Sequence, residues 1–527
     1  PLTFIPALRN AFKEKLKIND EDLVFSENAA VIPAWGASLS SECEEIETRK
    51  ISECIVKFKE KKVIQRAPSG LKPLFKNEQE FSKWEKEKAL HKIEKIDLKQ
   101  LKNENCYIGI DSGSTTTKIV AINEDDHIFF TFYKKNGGKS LETVKEGLTL
   151  LCKEAKEAGK KLLVKASCST GYGEDLIKTA FGLSYGMVET IAHYTAAYKL
   201  NPQVSFILDI GGQDMKAIFV EDGAINRLEI NEACSSGCGS FIDNFATSLE
   251  CTIGDFVEKA CRSSNPADLG TRCTVFMNSK VKQCLRENAS VEDISAGLAY
   301  SVIKNCLYKV LKLKDTKELG DHIILQGGTM RNKAVVRAFE QLIGKIVIVS
   351  NYPELMGAYG AALHAKKRSN NQPVGALLLD TLADIKDYET EQMRCVGCEN
   401  NCQILKNIFG DGKIFYSGNK CEKVYTNKGE KGRMAFNMSL FRYELAFKKN
   451  IRLDENQKPF CSIGIPRALN MHENFQFWHT LLTLNNIEVI TSSRSTFRMY
   501  EKGLNTVMAD NICFPAKITH GHIFDLI

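Results

Sequence analysis

The fold of this chain is decided by the stretch Ile110-Asp111-Ser112-Gly113-Ser114-Thr115-Thr116-Thr117-Lys118, which joins two β-type segments through a short polar turn. Gly113 lets the backbone approach an anion closely, and the hydroxyls and backbone amides of the turn can hold phosphate oxygens. Asp111 can hold Mg²⁺ through water. The predicted nucleotide ligands of this hairpin are Gly113, Ser114, Thr115, Thr116 and Lys118. Taken alone, the stretch is also compatible with an ordinary hairpin turn rich in serine and threonine.

A second acid-glycine hairpin follows about a hundred residues later, in Leu208-Asp209-Ile210-Gly211-Gly212-Gln213-Asp214. A glycine pair, Gly327-Gly328, then comes after the apolar run Ile323-Ile324-Leu325. Two hairpins of this kind can clamp phosphates from opposite sides, and the late glycine pair lets a purine lie on the backbone. The sequence has no G-x-x-x-x-G-K-[ST] motif, which excludes the Walker type of phosphate loop. The predicted ligands in this half are Gly211, Gly212, Gln213, Asp214, Gly327 and Gly328.

The order of these three elements resembles the superfamily of actin, heat-shock-70 and sugar-kinase ATPases. The resemblance implies an α/β protein with a two-lobed ATPase fold that binds ATP and Mg²⁺ between its lobes. It assigns catalytic roles to Asp111 and Asp209. Glu189 stands at a predicted helix start, where that superfamily often places a polar residue near the attacking water. An acid at this position is equally compatible with a simple electrostatic match to the helix dipole.

Two cysteine motifs indicate which branch of this superfamily the chain resembles. Cys234 lies in Asn231-Glu232-Ala233-Cys234 before a glycine turn, and Cys273 lies in Cys273-Thr274-Val275-Phe276. Together with the phosphate hairpins, they resemble the activator ATPases of 2-hydroxyacyl-CoA dehydratases and the ATPase subunits of benzoyl-CoA reductase. In that family these two cysteines are cluster ligands, and two ATPase domains share one [4Fe–4S] cluster. A pair of buried thiols is the structural alternative, and Cys238, which departs from the family pattern, is interpreted as a bystander.

The function implied by this resemblance is ATP-driven electron transfer through an oxygen-sensitive [4Fe–4S] cluster. The implied partners are a ferredoxin- or flavodoxin-type electron donor and a dehydratase or reductase acceptor, in cis or in trans. The ATPase domains would form a dimer or a tandem pseudo-dimer. Two other functions remain open at this point: a small-molecule kinase of the sugar type on the same fold, and a regulatory ATPase with structural zinc.

An internal similarity suggests the domain organisation. Ala34-Trp35-Gly36-Ala37-Ser38-Leu39 resembles Ala358-Tyr359-Gly360-Ala361-Ala362-Leu363, so the chain is expected to begin within a first copy of the ATPase module. The predicted segments are residues 1–39 as the C-terminal remnant of that copy, 40–104 as a Lys/Glu-rich linker, 105–368 as the activator-type ATPase domain, 375–450 as a Cys-rich α+β region, and 451–527 as the truncated start of a dehydratase-like α/β domain.

Four further cysteines have the spacing of metal ligands. They fall within 27 residues, a spacing that is close to that of zinc sites and also compatible with an iron–sulfur cluster. The predicted ligands of zinc or of a second cluster are Cys395, Cys398, Cys402 and Cys421. Incidental thiols in a loop are the alternative interpretation.

Composition limits the remaining choices. The 527 residues carry a formal net charge of +6 and are 43% hydrophobic, as in an ordinary globular chain. No segment concentrates the positive charge, so we expect no nucleic-acid partner, and no apolar run is long enough to predict a membrane partner. Eighteen cysteines without a signal peptide predict a reducing, cytoplasmic location in which thiols persist.

Overall fold

The computed structural model describes residues 5–22, 26, 28–43, 50–60, 70–231, 238–271, 274–372, 374–384, 388–398, 400–427, 436–453, 456–509 and 512–527. They divide into two compact units, Pro1–Ala67 and Pro68–Ile527. The first unit contains helices α1 (Pro6–Leu16), α2 (Ile32–Cys43) and α3 (Ile51–Glu60). The stretch that resembles residues 358–363 lies in α2, where Trp35 and Leu39 are exposed.

The second unit opens with α4 (Glu78–Lys88) and continues into a mixed sheet that we call lobe I. Its strands are β1 (Asn105–Ser112), β2 (Thr116–Ile122), β3 (Ile128–Lys135), β4 (Leu163–Thr170) and β5 (Tyr185–Gly186). Strands β1, β2 and β3 form an antiparallel meander, whereas β4 pairs in parallel with β1 and with β5. The crossover from β3 to β4 runs through α5 (Ser140–Glu157), and α6 (Glu174–Phe181) follows β4. Apolar side chains such as Ile108 and Ile119 are fully buried in this lobe.

A second mixed sheet, lobe II, repeats the plan of lobe I. Its strands are β6 (Phe206–Ile210), β7 (Met215–Glu221), β8 (Ala224–Asn231), β9 (Ile323–Gln326) and β10 (Ile348–Val349). The order β10-β9-β6-β7-β8 has the same antiparallel meander and the same parallel crossovers as lobe I. The helices associated with these strands are α7 (Glu189–Leu200), α8 (Gly239–Ser248), α9 (Ile253–Arg262), α10 (Thr274–Arg286), α11 (Val291–Lys304) and α12 (Lys333–Ile343). Two lobes of identical strand order establish the two-lobed ATPase fold that the sequence predicts.

Helix α13 (Met356–Asn371) holds the two lobes together through glycine contacts. A Cβ atom on Gly109 of β1 would lie 1.9 Å from the Ala358 carbonyl oxygen, and one on Gly360 would lie 1.9 Å from the Ala192 carbonyl oxygen of α7. Since ordinary Cβ contacts begin near 3.4 Å, these positions accept only glycine at the observed spacing. The backbone of α13 therefore packs directly against the backbones of β1 and α7.

Lobe I extends past the predicted end of the ATPase domain. Strand β11 (Leu377–Leu378) pairs with β4, and α14 (Leu379–Ala383) buries Leu379 and Leu382 in the core of lobe I. The Cys-rich region forms an antiparallel sheet of β12 (Tyr388–Arg394), β13 (Gln403–Phe409) and β14 (Ile414–Ser417). Phe409 and Phe415 of that sheet join the same core, so the Cys-rich region rests on lobe I.

The C-terminal part, where the sequence predicts the start of a further α/β domain, contains a strand-helix-strand unit. Strand β15 (Ser462–Ile465) pairs in parallel with β16 (Glu488–Thr491) through α16 (Met471–Leu484). Helices α15 (Met438–Ala446), α17 (Phe497–Gly503) and α18 (Phe514–Leu526) surround it. None of the described helices has the length and apolar character needed to cross a bilayer.

Candidate nucleotide site and cysteine clusters

Two equivalent hairpins face each other across the cleft between the lobes. The Gly113 N–H donates to the Thr116 carbonyl at 3.0 Å, and the Gly211 N–H donates to the Asp214 carbonyl, also at 3.0 Å. Each glycine stands two residues after a buried aspartate at a strand end. The tips approach closely, with 3.5 Å between Ser114 Oγ and Gln213 Oε1. This arrangement places amides and hydroxyls on both sides of one small space, as a phosphate clamp requires.

Each hairpin also carries a lysine directly across the ladder from its aspartate. Asp111 pairs with Lys118 in β1 and β2, and Asp209 pairs with Lys216 in β6 and β7. Lys118 Nζ lies 2.9 Å from Asp111 Oδ2. Burial alone would lower the pKa of Lys118, but the carboxylate of Asp111 outweighs it and raises that pKa. Lys118 is therefore a permanent cation in the cleft.

Lys216 was missed by sequence reasoning, although it follows Asp209 by the same seven residues that separate Lys118 from Asp111. It is 4% exposed, contacts the Asp214 carboxylate and lies 3.2 Å from Glu189 Oε1. Burial opposes its charge, but the surrounding carboxylates raise its pKa. The repeated offset is the signal that could have identified it.

Helix α7 brings a histidine into the cleft together with the predicted Glu189. His193 Nε2 lies 3.6 Å from Asp209 Oδ2 and 3.8 Å from Glu189 Oε1. Its Nδ1 lies 2.5 Å from Gln326 Oε1. The Gln326 amide nitrogen donates to the His193 carbonyl, so its oxygen is left to accept from Nδ1–H. Burial disfavours the charged ring, but Asp209 and Glu189 outweigh it and raise the pKa of His193. The sequence signal for His193 was its position, one helical turn after Glu189.

Asp111 and Asp209 occupy different electrostatic environments. Asp111 Oδ1 is buried and has no hydrogen-bond partner among the described residues, which suits a carboxylate that contacts a hydrated cation. Burial raises the pKa of Asp209, while His193 and Lys216 act in the opposite direction. Glu189, His193 and Asp209 also have donor atoms within 4.8 Å of one another. The cleft thus combines a magnesium-compatible acid with a compact charged cluster.

Gly327 and Gly328 cross the end of the second hairpin. Gly327 has φ +91, and a Cβ atom there would lie 2.3 Å from the Ile210 carbonyl oxygen and 2.6 Å from Asp209 Oδ1. Gly327 therefore lets the chain that follows β9 pass directly over Asp209. All predicted catalytic and nucleotide residues line this one cleft, together with Tyr172, His193 and Glu354: Asp111, Gly113, Ser114, Thr115, Thr116, Lys118, Glu189, Asp209, Gly211, Gly212, Gln213, Asp214, Gly327 and Gly328.

A larger cavity of about 820 Å³ adjoins the cleft. Gly212, Gly328 and Glu354 line both spaces, so they are continuous. The cavity has the size range of small-molecule sites in proteins, and a nucleoside fits within that range. The cavity therefore lies directly beside the two hairpins.

The start of α8 is hydrogen-bonded to the second hairpin. The Gly239 N–H donates to the Gly211 carbonyl and the Ser240 N–H donates to the Gly212 carbonyl, each at 3.0 Å. Thr329 Oγ1 also donates to the Gly211 carbonyl at 3.1 Å. These bonds connect the second hairpin directly to the first turn of α8.

The predicted cluster ligands Cys234 and Cys273 lie outside the described residues. The elements that follow them are described: α8 begins at Gly239 and α10 begins at Thr274. Cys238 is fully buried immediately before α8.

The four cysteines of the Cys-rich region lie around the β12–β13 connection and after β14. The Cys395 N–H donates to the Cys402 carbonyl at 2.9 Å. Cys395 is buried, whereas Cys398 and Cys421 are exposed. Among the described residues, no three of these sulfurs lie within 4.8 Å of one another. Their role as ligands of zinc or a second cluster stays a prediction.

The chain is similar to a family of known ATPases. The sequence model of the BadF/BadG/BcrA/BcrD ATPase family matches residues 108–365. The (R)-2-hydroxyglutaryl-CoA dehydratase activating ATPase of Acidaminococcus fermentans is 30% identical over 267 residues, which cover 50% of this chain and 97% of that protein. The chain belongs to the BadF/BadG/BcrA/BcrD ATPase family. An ATPase family implies ATP and Mg²⁺ as the ligands of the cleft.

A second relative and one solved structure are also similar to this chain. The 2-hydroxyisocaproyl-CoA dehydratase activator of Clostridioides difficile is 32% identical over 261 residues, covering 49% of this chain and 94% of that protein. The solved structure of the Acidaminococcus fermentans (R)-2-hydroxyglutaryl-CoA dehydratase component A aligns with a TM-score of 0.45 at 28% identity, covering 50% of this chain and 99% of that one. Residues 462–527 match a CoA enzyme activase uncharacterised domain, so the C-terminal part lies outside the ATPase family match.

Proposed function

We propose that this chain uses ATP hydrolysis to deliver single low-potential electrons to an acceptor of the 2-hydroxyacyl-CoA dehydratase or reductase type. The observation that carries the proposal is the backbone connection between the second phosphate hairpin and α8. Because Gly211 and Gly212 accept from Gly239 and Ser240, the hairpin that would contact phosphate also holds the segment that follows Cys234. The names of the activator relatives support the same function.

The residues of the cleft supply the ATPase chemistry. The amides of both hairpins and Lys118 would bind the phosphates, and Asp111 would hold Mg²⁺ through water because its Oδ1 is buried without a partner in the described part of the chain. Asp209 and Glu189 face the same space, and His193 lies between them. We propose that this acidic pair orients the attacking water, with His193 and Lys216 fixing the positions of the two carboxylates. Loss of the γ-phosphate would remove the group that both hairpins contact, so the two hairpins could move apart.

Cys234 and Cys273 would hold a [4Fe–4S] cluster, which supplies one-electron transfer when bound. Each precedes the N-terminus of a helix, α8 and α10. A thiolate is favoured near a helix N-terminus by the helix dipole. Two cysteines from each of two ATPase modules would complete the set of four, so the module is proposed to work as a dimer or a tandem pseudo-dimer.

The partners follow from this role. A ferredoxin- or flavodoxin-type protein would supply the electron. The acceptor would be a dehydratase- or reductase-type protein, in cis or in trans, and the match of residues 462–527 to a CoA enzyme activase domain supports a connection to the same chemistry within this chain. We propose that the cysteines of the Cys-rich region hold zinc or a second cluster beside lobe I.

Anaerobic purification of the chain tests this function. We expect an oxygen-sensitive brown protein that contains iron and acid-labile sulfide, with both lost in Cys234→Ser. Cys461→Ser is the matched control, because that cysteine is exposed and outside both predicted clusters. Asp209→Asn should abolish ATP hydrolysis while leaving the iron content unchanged. Zinc without iron, combined with ATP-dependent phosphorylation of a sugar, would contradict the proposal.

A further inference from the structure

The segment from Gly70 to Leu101, which we call the strap, is packed onto lobe II. Trp84 Nε1 donates to Glu340 Oε2 of α12 at 2.6 Å, and Arg337 Nη2 donates to Glu80 Oε1 at 2.6 Å. Leu74 is fully buried in the core of lobe II. The sequence predicts only a linker here, but these buried and charged contacts attach the strap firmly to lobe II.

The strap then continues onto lobe I. The Ile96 N–H donates to the Ile128 carbonyl, and the Ile128 N–H donates to the Glu94 carbonyl, each at 2.9 Å. These bonds add the strap to the edge of the sheet at β3. The strap therefore spans both lobes of the ATPase, although it lies before residue 108, where the family match begins.

Where it is attached to lobe II, the strap forms part of the wall of the large cavity. Its residues on that wall are Phe75, Lys76, Asn77, Glu78 and Phe81. Ile253 and Val257 of α9 also line the cavity, and Gly212 and Gly328 connect it to the phosphate cleft. A nucleotide whose phosphates lie on the hairpins would thus extend its base and ribose toward the strap.

Phe81 is the aromatic residue of the strap that is suited to contact a base. It is half-buried and lines the cavity. Phe75, only 5% exposed, supports it from behind, with ring centroids 4.9 Å apart at an angle of 81°. Lys333 Nζ also lies over the Phe81 ring, 5.5 Å from its centroid. Because an aromatic ring that its neighbours hold in place can stack on a purine, we propose that the strap completes the base subsite of the nucleotide pocket, with Phe81 as the residue that contacts the base.

This inference rests on the proposed ATPase function and deepens it. The base of ATP would be recognised by a segment outside the ATPase domain itself. The phosphates would still be recognised by the hairpins of the two lobes. Binding of inorganic tripolyphosphate, which has no base, therefore separates the two parts of the site.

The test measures the affinity of the full chain for Mg-ATP and for Mg-tripolyphosphate by titration calorimetry. Phe81→Ala should weaken ATP binding about tenfold, or about 1.4 kcal/mol, and leave tripolyphosphate binding unchanged. Phe81→Trp should restore ATP binding because it retains an aromatic face. Leu90→Ala is the matched control, since Leu90 is 78% exposed on the same strap and does not line the cavity.

Two results would overturn this inference and leave the proposed function standing. One is an ATP affinity of Phe81→Ala within twofold of that of the unsubstituted chain. The other is an equal loss of ATP and tripolyphosphate binding in Phe81→Ala, since the substitution would then act through the fold and not through the base. Failure of the unsubstituted chain to bind ATP would instead overturn the proposed function, and this inference with it.

Discussion

Substitution of Gly360 by alanine tests whether α13 sets the geometry of the catalytic cluster. The added Cβ would lie 1.9 Å from the Ala192 carbonyl oxygen and 2.7 Å from its carbonyl carbon. Since ordinary Cβ contacts begin near 3.4 Å, α7 and α13 must separate by about 1.5 Å at this point. Ala192 directly precedes His193 and follows Glu189 by three residues. The displacement therefore falls on the part of α7 that faces Asp209.

The expected effect has a catalytic and a structural component. His193 Nε2 is 3.6 Å from Asp209 Oδ2, so a shift of about 1.5 Å, as in overpacked cores, would change the distances between the charged groups of the cluster. A misplacement of about 1 Å in an active site can cost about a hundredfold in rate. Overpacking itself destabilises a core by about 1–3 kcal/mol. We expect Gly360→Ala to lower ATP turnover about a hundredfold and to lower the melting temperature.

The assay is steady-state phosphate release together with thermal unfolding of the full chain. Gly375→Ala is the matched control, because no atom lies within 4 Å of the position its Cβ would occupy, and it should leave both measurements unchanged. Gly360→Ala with turnover within threefold of the parent and the same melting temperature would refute the assignment of α13 as the element that positions α7.

Three further predictions concern other parts of the chain. Trp84→Phe removes a hydrogen-bond donor from the buried Glu340 carboxylate, so it should lower the free energy of unfolding in urea by about 1–3 kcal/mol. Trp478→Phe, at a more exposed site, should lower it by less than about 0.5 kcal/mol. Equal effects of the two substitutions would contradict the role of the strap. Burial would raise the pKa of Asp126, but its ion pairs with Lys199 and Lys366 hold that pKa below 3.8. Its stabilising contribution is thus present above pH 3.8 and decreases as the pH falls further, so the stability difference between the parent and Asp126→Asn should shrink in acid unfolding below about pH 3.8. A difference that stays constant below that pH would contradict this prediction. Cys398→Ser should reduce the bound zinc or iron measured by plasma mass spectrometry, while Cys461→Ser should not, and equal metal content in both would argue against a metal site.

The local chemistry of the phosphate hairpins was predictable from the sequence. An aspartate at a strand end followed two residues later by glycine is a short-range pattern, and its recurrence at Asp111 and Asp209 indicated two equivalent lobes. The superfamily resemblance implied a two-lobed α/β fold, and the two mixed sheets confirm it. The strand and the helix of β15 and α16 were likewise predictable, because strand and helix periodicity are local properties of the chain.

Sequence offsets could have pointed to Lys216 and His193 one at a time, but only the tertiary structure shows that they meet in one charged cluster. His193, Lys216 and Gln326 belong to a helix and to two strands that are distant along the chain, and their meeting depends on how α7 packs beside lobe II. The contacts of the strap could not be predicted for the same reason. Its composition is Lys/Glu-rich, as in a solvated linker, whereas lobe II buries its apolar residues Leu74, Phe75 and Trp84. Local sequence determined which groups can bind phosphate, and long-range packing decided which other groups lie beside them, because proximity in a folded chain depends on contacts between distant segments.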